Sequence, residues 1–272
     1  MKPGLYIVAT PIGNLNDITL RALDVLKKSD MILCENTKHS LKLLKFFNIN
    51  GIKLDKYTDH DFVRKHKLIE NDIKLGKKIS LISDAGSPLI SDPGSNLIKH
   101  LFNNNCHVET IPGPSSTIAA VQLSGFFNAY PIVFLGFLPK KNTQKIKIIE
   151  SFIKSNLVIF STSHQLNSDI ETIFLSDPGS KVVILSEITK KYEKRIVLTA
   201  QDYEARRPIS LKGEFVLCVE FNGKLISLKI NDTQIKKDIK KFGSKEIYDI
   251  YKTRYNLSRN DLYKKILKLK SN

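Results

Sequence analysis

The chain has no tryptophan, two methionines and three cysteines in 272 residues, and it is short of acid, with 27 Asp and Glu against 43 Lys and Arg. Each shortage excludes something. Cys34, Cys106 and Cys218 are odd in number, widely spaced and set in apolar segments, which argues for reduced core thiols and against a disulfide framework or a metal cage. No stretch approaches the roughly 18 uninterrupted apolar residues of a membrane-spanning helix. The opening MKPGLYIVATPIGN has one lysine and a short apolar run broken at once by proline and glycine, so no export signal is expected and the expected location is cytoplasmic. Also missing are a G-x-G-x-x-G opening a helix, a G-x-x-x-x-G-K-[ST] loop, a Gly-x-Ser-x-Gly elbow and zinc-spaced Cys or His, which withdraws support from the usual dinucleotide, P-loop, hydrolase and zinc readings.

What is present is a 42% hydrophobic composition delivered in short, regular runs, as in a soluble globular protein. The net charge of +16 is uneven: residues 224–272 hold fourteen Lys and Arg against five Asp and Glu. Such an imbalance suits an anionic partner such as nucleic acid, although a chain this rich in Asn, Ile and Lys can also drift basic by composition alone.

Apolar runs at 5–9, 31–35, 78–83, 107–111 and 131–137 read as strands, with helical patterns between them. One helix spans ITLRALDVLKK, with Ile18, Ala22, Val25 and Leu26 on one face and Asp17 as its cap; others begin at Ser40 and Ser95. This alternation predicts an α/β fold with parallel βαβ units. The basic, proline-marked 138–145 precedes further strands at 156–162, 181–187 and 214–220, the material of a second α/β lobe. Beyond Asn222, three short amphipathic helices are expected, capped by Asp232 or Thr233, Ser244 and Ser258. The expected domains are 1–113, 114–223 and a basic helical tail, 224–272.

Three strands run into loops built for close backbone approach. They are Thr10-Pro11-Ile12-Gly13-Asn14, then Asp84-Ala85-Gly86-Ser87-Pro88 with Asp92-Pro93-Gly94, and Ile111-Pro112-Gly113-Pro114-Ser115-Ser116-Thr117. Glycine and alanine keep side chains away from main-chain donors, and proline fixes loop shape in advance. The third loop puts free N–H groups at a helix mouth, which suits a carboxylate. Each loop alone is ordinary punctuation; three at successive strand ends mark a ligand site on an open α/β sheet.

In order along the chain stand YIVATPIGNLNDITLRAL, ENTKH, LISDAGSPLISDPG, IPGPSS, GFLP, EITK and KGE. With these motifs residues 4–222 resemble the ribosomal RNA small subunit methyltransferase I family of the tetrapyrrole methylase superfamily. The resemblance implies two α/β lobes with S-adenosylmethionine in the cleft between them, a homodimer, and methylation of the 2′-hydroxyl of a decoding-region cytidine in 16S rRNA. It implies cofactor-binding roles for Pro11, Gly13 and Asn14, for Asp84, Ala85, Gly86, Pro88 and Asp92, for Pro112, Gly113, Ser115 and Ser116, and, from the second lobe, for Glu187, Thr189, Gly213 and Glu214. The chain departs from the family pattern at Asn36 for Asp, at Phe160-Ser161-Thr162-Ser163-His164-Gln165-Leu166, which lacks a Tyr, a Glu and an Arg, and at Ser186 for Arg.

Moving a methyl group from a sulfonium to a hydroxyl requires alignment and a group to take the hydroxyl proton. Glu35, Lys38 and His39 form an ionisable cluster after the second strand. Lys38 is expected to stabilise the developing alkoxide and Glu35 or His39 to take the proton, with Asp59 and His60 a weaker second pair. RNA contacts are expected from the tail and from Lys140, Lys141, Lys145 and Lys147. Tyr248, Tyr251, Tyr255 and Tyr263 sit at spacings that suit the tail's own core better than base stacking. Two other readings remain open at this point: a superfamily methyltransferase acting on a tetrapyrrole or other small acceptor, and an RNA-binding relative with impaired catalysis.

Overall fold

Residues 1–126 and 128–222 are described in a computed structural model of the chain; the tail 224–272, with its three expected helices, lies outside the described residues. The described chain divides into two compact units, one made of 1–122 with 187–193 and the other of 123–186 with 194–222. The sequence placed the divide at 113/114. The difference lies in α5 (Ser116–Ser124), most of which stays with the first unit.

Strand alternation builds the first unit. β1 (Gly4–Val8), β2 (Met31–Cys34), β3 (Lys53–Lys56), β4 (Lys78–Ile82) and β5 (Val108–Ile111) form one sheet in the order β3-β2-β4-β1-β5. All of its pairings are parallel, with Tyr6 opposite Ser80 and Glu109. Leu5, Met31, Leu33, Ile79 and Leu81 point to one face, where α3 (Phe62–Lys74) and α4 (Ser95–Asn103) supply Ile69, Ile73, Leu97 and Leu101. Tyr6, Val8, Ile32, Cys34 and Ile82 point to the other, against Ala22, Val25 and Leu26 of α1 (Leu20–Lys27) and Leu44 of α2 (Thr37–Phe46). A parallel sheet needs both faces covered, and its strands accordingly read as apolar runs.

Local differences from the sequence reading have local causes. Thr19 rather than Asp17 caps α1, its hydroxyl accepting from the Ala22 N–H at 3.0 Å, while Asp17 ends a one-turn 3-10 helix. α2 begins ahead of Ser40 because the Asn36 side chain accepts from the N–H groups of Lys38 and His39. β3, sequence KLDK, carries no apolar run; it is an edge strand held by its ladder to β2.

The second unit has a mixed sheet, β6-β7-β10-β8-β9, from β6 (Ile132–Phe137), β7 (Asn156–Thr162), β8 (Lys181–Ser186), β9 (Lys194–Leu198) and β10 (Glu214–Glu220). Only β6 and β7 pair in parallel. Its core packs Leu157, Ile159, Ile184 and Leu217 with Ile149 of α6 (Asn142–Ser151) and Ile170 and Ile173 of α7 (Leu166–Ser176). α8 (Ala200–Arg206) adds Tyr203. β9 was not anticipated: its apolar run, Ile196-Val197-Leu198, is only three residues long and follows two charges at another sheet edge.

Candidate active site

β1 lies between β4 and β5, so the three loops at their carboxyl ends are neighbours. They are bonded to one another. Thr10 and Gly86 exchange main-chain hydrogen bonds of 2.8 and 3.0 Å, the Thr10 hydroxyl donates to the Ser83 carbonyl at 3.2 Å, and the Ser87 hydroxyl donates to the Pro114 carbonyl at 3.0 Å. Gly86 holds φ +82°, and a Cβ there would lie 3.2 Å from an Ile12 methyl. Leu89 and Ser91 are left-handed without being glycine, at φ 73° and 71°. Such backbone persists only where surroundings over-determine it, and it gathers at functional sites. Pro11, Gly86 and Pro88 are buried, Ala85, Pro112 and Gly113 exposed, and Asp84, Asp92, Ser115 and Ser116 half-buried.

A fourth segment joins this wall. Glu187 and Thr189, assigned from the sequence to the second lobe, belong to the first unit. The Asn14 N–H donates to the Thr189 hydroxyl at 3.1 Å, and the Thr189 N–H donates to Glu193 at 2.6 Å. Glu187 and Thr189 have φ 53° and 63°. Gly13 is where this approach is closest: a Cβ would sit 2.5 Å from Lys190 Cγ, 2.7 Å from Thr189 Oγ1 and 2.9 Å from the Ile188 carbonyl oxygen. Gly213, at φ 106°, and Glu214 open β10 in the second unit.

The electrostatics single out a carboxylate group. Burial raises the Glu35 carboxyl above its usual range, the charges of Asp84 and Asp59 add to this, and Lys56 partly offsets them. Asp92 is pushed up to about 6, first by burial, then by Glu35, with Asp84 adding and a Ser83 hydrogen bond working the other way. Asp84 Oδ1 and Thr117 Oγ1 are buried with no hydrogen-bond partner, a condition that costs free energy until a ligand supplies the missing group. Asp59 accepts from the Gly94 N–H at 3.0 Å. Carboxyls raised above their usual range fit a proton acceptor.

Of the expected cluster, then, Glu35 sits among the carboxylates, whereas Lys38 and His39 are exposed on the first turn of α2. Sequence reasoning gave Asp92 only a cofactor role and missed its coupling to Glu35. The two aspartates bracketing the second loop, Asp84 and Asp92, were the available signal.

In the second unit one expected RNA contact is corrected. Lys145 is 1% exposed, its ammonium donating to Asp169 at 2.6 Å and to Ser168 at 2.8 Å. Asp169, 0% exposed, also accepts from Ser161 at 2.6 Å, and Ser168 donates to Asn142. Lys145 therefore has no access to a phosphate; Lys140, Lys141 and Lys147 are exposed. Ser161 and Ser186, two departures from the family pattern, are both buried.

The tetrapyrrole (corrin/porphyrin) methylase family model matches residues 4–204. The chain is 39% identical over 285 residues to ribosomal RNA small subunit methyltransferase I of Rickettsia prowazekii, covering 99% of this chain and 98% of that protein. It is 34% identical to the protein of the same name from Buchnera aphidicola subsp. Acyrthosiphon pisum, covering 97% and 96%. Among solved structures, diphthine synthase superposes with a TM-score of 0.60 at 15% identity, covering 80% of this chain and 89% of that one. Uroporphyrin-III C-methyl transferase from Thermus thermophilus complexed with S-adenyl homocysteine gives 0.55 at 15%, covering 79% and 96%. At that identity the likeness concerns the fold. With near-full-length identity to the first two, the chain belongs to the ribosomal RNA small subunit methyltransferase I family of the tetrapyrrole methylases.

Proposed function

We propose that this chain is an S-adenosylmethionine-dependent methyltransferase that methylates the 2′-hydroxyl of a decoding-region cytidine in 16S rRNA, as a cytoplasmic homodimer acting on the small ribosomal subunit or its RNA. The observation that carries the reading is the 39% identity over 99% of the chain to a ribosomal RNA small subunit methyltransferase I. Membership of the family leaves little room for the small-acceptor reading. Among the described residues no helix is long and apolar enough to cross a membrane.

The residues present fit the cofactor. S-adenosylmethionine, when bound, supplies an electrophilic methyl group on a sulfonium. Asp84 Oδ1 and Thr117 Oγ1 lack partners and are matched by the donors and acceptors of a nucleoside and an amino acid. The carboxylates Glu35, Asp84 and Asp92 favour a cation beside them. We assign Pro11, Asp84, Ala85, Gly86, Pro88, Asp92, Pro112, Gly113, Ser115 and Ser116 to the cofactor wall. Gly13, Asn14, Glu187 and Thr189 stiffen its rim. The main-chain N–H groups at the start of α5 suit the cofactor's carboxylate.

With S-adenosylmethionine held by the loops as methyl donor, the Glu35 carboxylate would take the proton that the ribose hydroxyl gives up. Lys38 and His39, on the exposed turn that follows, hold the acceptor strand. Alignment of the reacting groups can supply about 7–11 kcal/mol, against about 10²–10⁴ in rate from the base. Mapping 2′-O-methylation on 16S rRNA from cells with and without the gene tests the whole reading: loss of one cytidine mark supports it, and an unchanged map overturns it. Deleting 224–272 tests the tail, which should lower both RNA affinity and its salt dependence.

A further inference from the structure

The loop after β1 and the 187–193 segment, which stiffen the rim of the cofactor wall, also enclose a hollow that holds none of the reacting groups. The hollow, of about 570 Å³, is lined by Asn14 and Asn16 on one side, by Lys190 and Lys191 on another, and by Phe46 at the end of α2. Phe46 is 57% exposed although it is the largest apolar residue of its helix. Next to Lys191 stands a second bare ring, Tyr192, 69% exposed, with the Lys191 ammonium 5.5 Å from its centroid. Along α2, Lys38, Lys42 and Phe46 follow one another at four-residue spacing, so they share a stripe about 12 Å long. Lys38 and Lys42 on it are exposed. The stripe begins one turn after Glu35 and ends at the hollow.

We infer that this hollow binds a nucleotide flanking the methylated one, its base stacked on Phe46 and its phosphates met by Lys42 and Lys191; the inference rests on the rRNA reading above. Three observations converge on a single-stranded RNA segment. Aromatic faces set among lysines are what non-helical nucleic acid uses, stacking giving sequence-tolerant affinity and ammonium groups neutralising phosphate. The walls are held in place by the tight approach of Gly13 to Thr189 and Lys190 and by two left-handed residues, Glu187 and Thr189, and a preformed site loses less entropy on binding. The asparagines offer amide donors and acceptors to a base edge. A second copy of the chain is a poorer occupant, because a self-complementary contact here would press Lys42, Lys45 and Lys191 toward their own kind.

The test uses the full-length protein and small ribosomal subunits lacking the mark, with Phe46→Ala, Phe46→Trp and the pair Lys42→Met with Lys191→Met. Four quantities are read: subunit affinity across a salt series, KM and kcat for methyl transfer, S-adenosylmethionine affinity, and sedimentation. Stacking worth about 1–3 kcal/mol per base predicts that Phe46→Ala raises Kd and KM for the subunit roughly 5- to 150-fold, and that Phe46→Trp restores them. The lysine pair should weaken binding and flatten the logarithmic salt slope by about 1–2. S-adenosylmethionine affinity and kcat at saturating subunit should stay as in the wild type, which also shows that the variants are folded. The inference is overturned if Phe46→Ala leaves Kd and KM unchanged, or if its effect is a change in self-association. Failure of the wild-type protein to methylate subunits would instead remove the rRNA reading, and this inference with it.

Discussion

Two buried polar groups in this chain are built from similar residues and have opposite characters. In the second unit, Lys145, Asp169, Ser161 and Ser168 satisfy one another at 2.6–2.8 Å, and none of their atoms lacks a partner. In the first, Glu35, Asp84 and Asp92 repel one another, two of them are raised above the usual carboxylate range, and Asp84 Oδ1 has no partner. A closed network specifies packing, since every donor and acceptor is consumed internally. An open one keeps its free energy for whatever arrives. Burial alone therefore does not mark an active site; a group of mutually repelling carboxyls with an unmatched oxygen among them does.

The comparison can be broken from either side. Glu35→Gln should lower the single-turnover methyl-transfer rate by about 10²–10⁴ with little change in Tm, and a near wild-type rate would remove Glu35 from the chemistry. Lys145→Met should do the reverse. Leaving Asp169 charged and buried costs about 3–5 kcal/mol, read as a fall in denaturation midpoint with activity per folded molecule retained. Adding Asp169→Leu should return much of the loss; if the double variant is no more stable than the single, the network is not self-contained. Gly13→Ala comes next. Its methyl meets the Ile188 carbonyl at 2.9 Å and Thr189 Oγ1 at 2.7 Å, an overpacking cost of about 1–3 kcal/mol that should appear in both Tm and S-adenosylmethionine affinity.

Much of this was legible from the chain alone, for physical reasons. Strands buried on both faces write themselves as apolar runs, so β1, β2 and β4 were visible, while the edge strand β3, KLDK, draws its stability from a main-chain ladder that leaves no apolar signature. The loops were legible because glycine, proline and alanine are required where backbone must be approached. Partnership across the sequence was not. Nothing in "GFLPKKNTQKIK" separates the buried Lys145 from the exposed Lys147, because the distinction is made by Asp169, on another helix. Nor does the sequence say that Glu187 and Thr189 join the first unit, a matter of where 187–193 packs. Phe46 at the end of a helix reads as core until its exposure is seen.

The smallest expected effect discriminates best between the two carboxylates. The folded chain raises the Asp92 carboxyl from 3.8 to about 6, so between those values the native state holds a proton that the unfolded chain has released. Stability contributed by that proton is lost as pH rises through the window, and above it the charged group weighs against the fold. Asp92→Asn should therefore stabilise the cofactor-free protein at pH 8 by no more than about 2–4 °C in Tm, solvent screening trimming what burial alone would give. The gain should vanish below about pH 4, where the carboxyl is protonated in both states. Activity should run the other way. The charged carboxylate belongs beside a cationic cofactor, so the wild-type single-turnover rate should fall as pH drops through 6, and Asp92→Asn should flatten that limb at a lower plateau. If the limb survives in Asp92→Asn and disappears in a slow but measurable Glu35→Gln, the titration belongs to Glu35, and Asp92 acts on the rate only through the charge it places next to it.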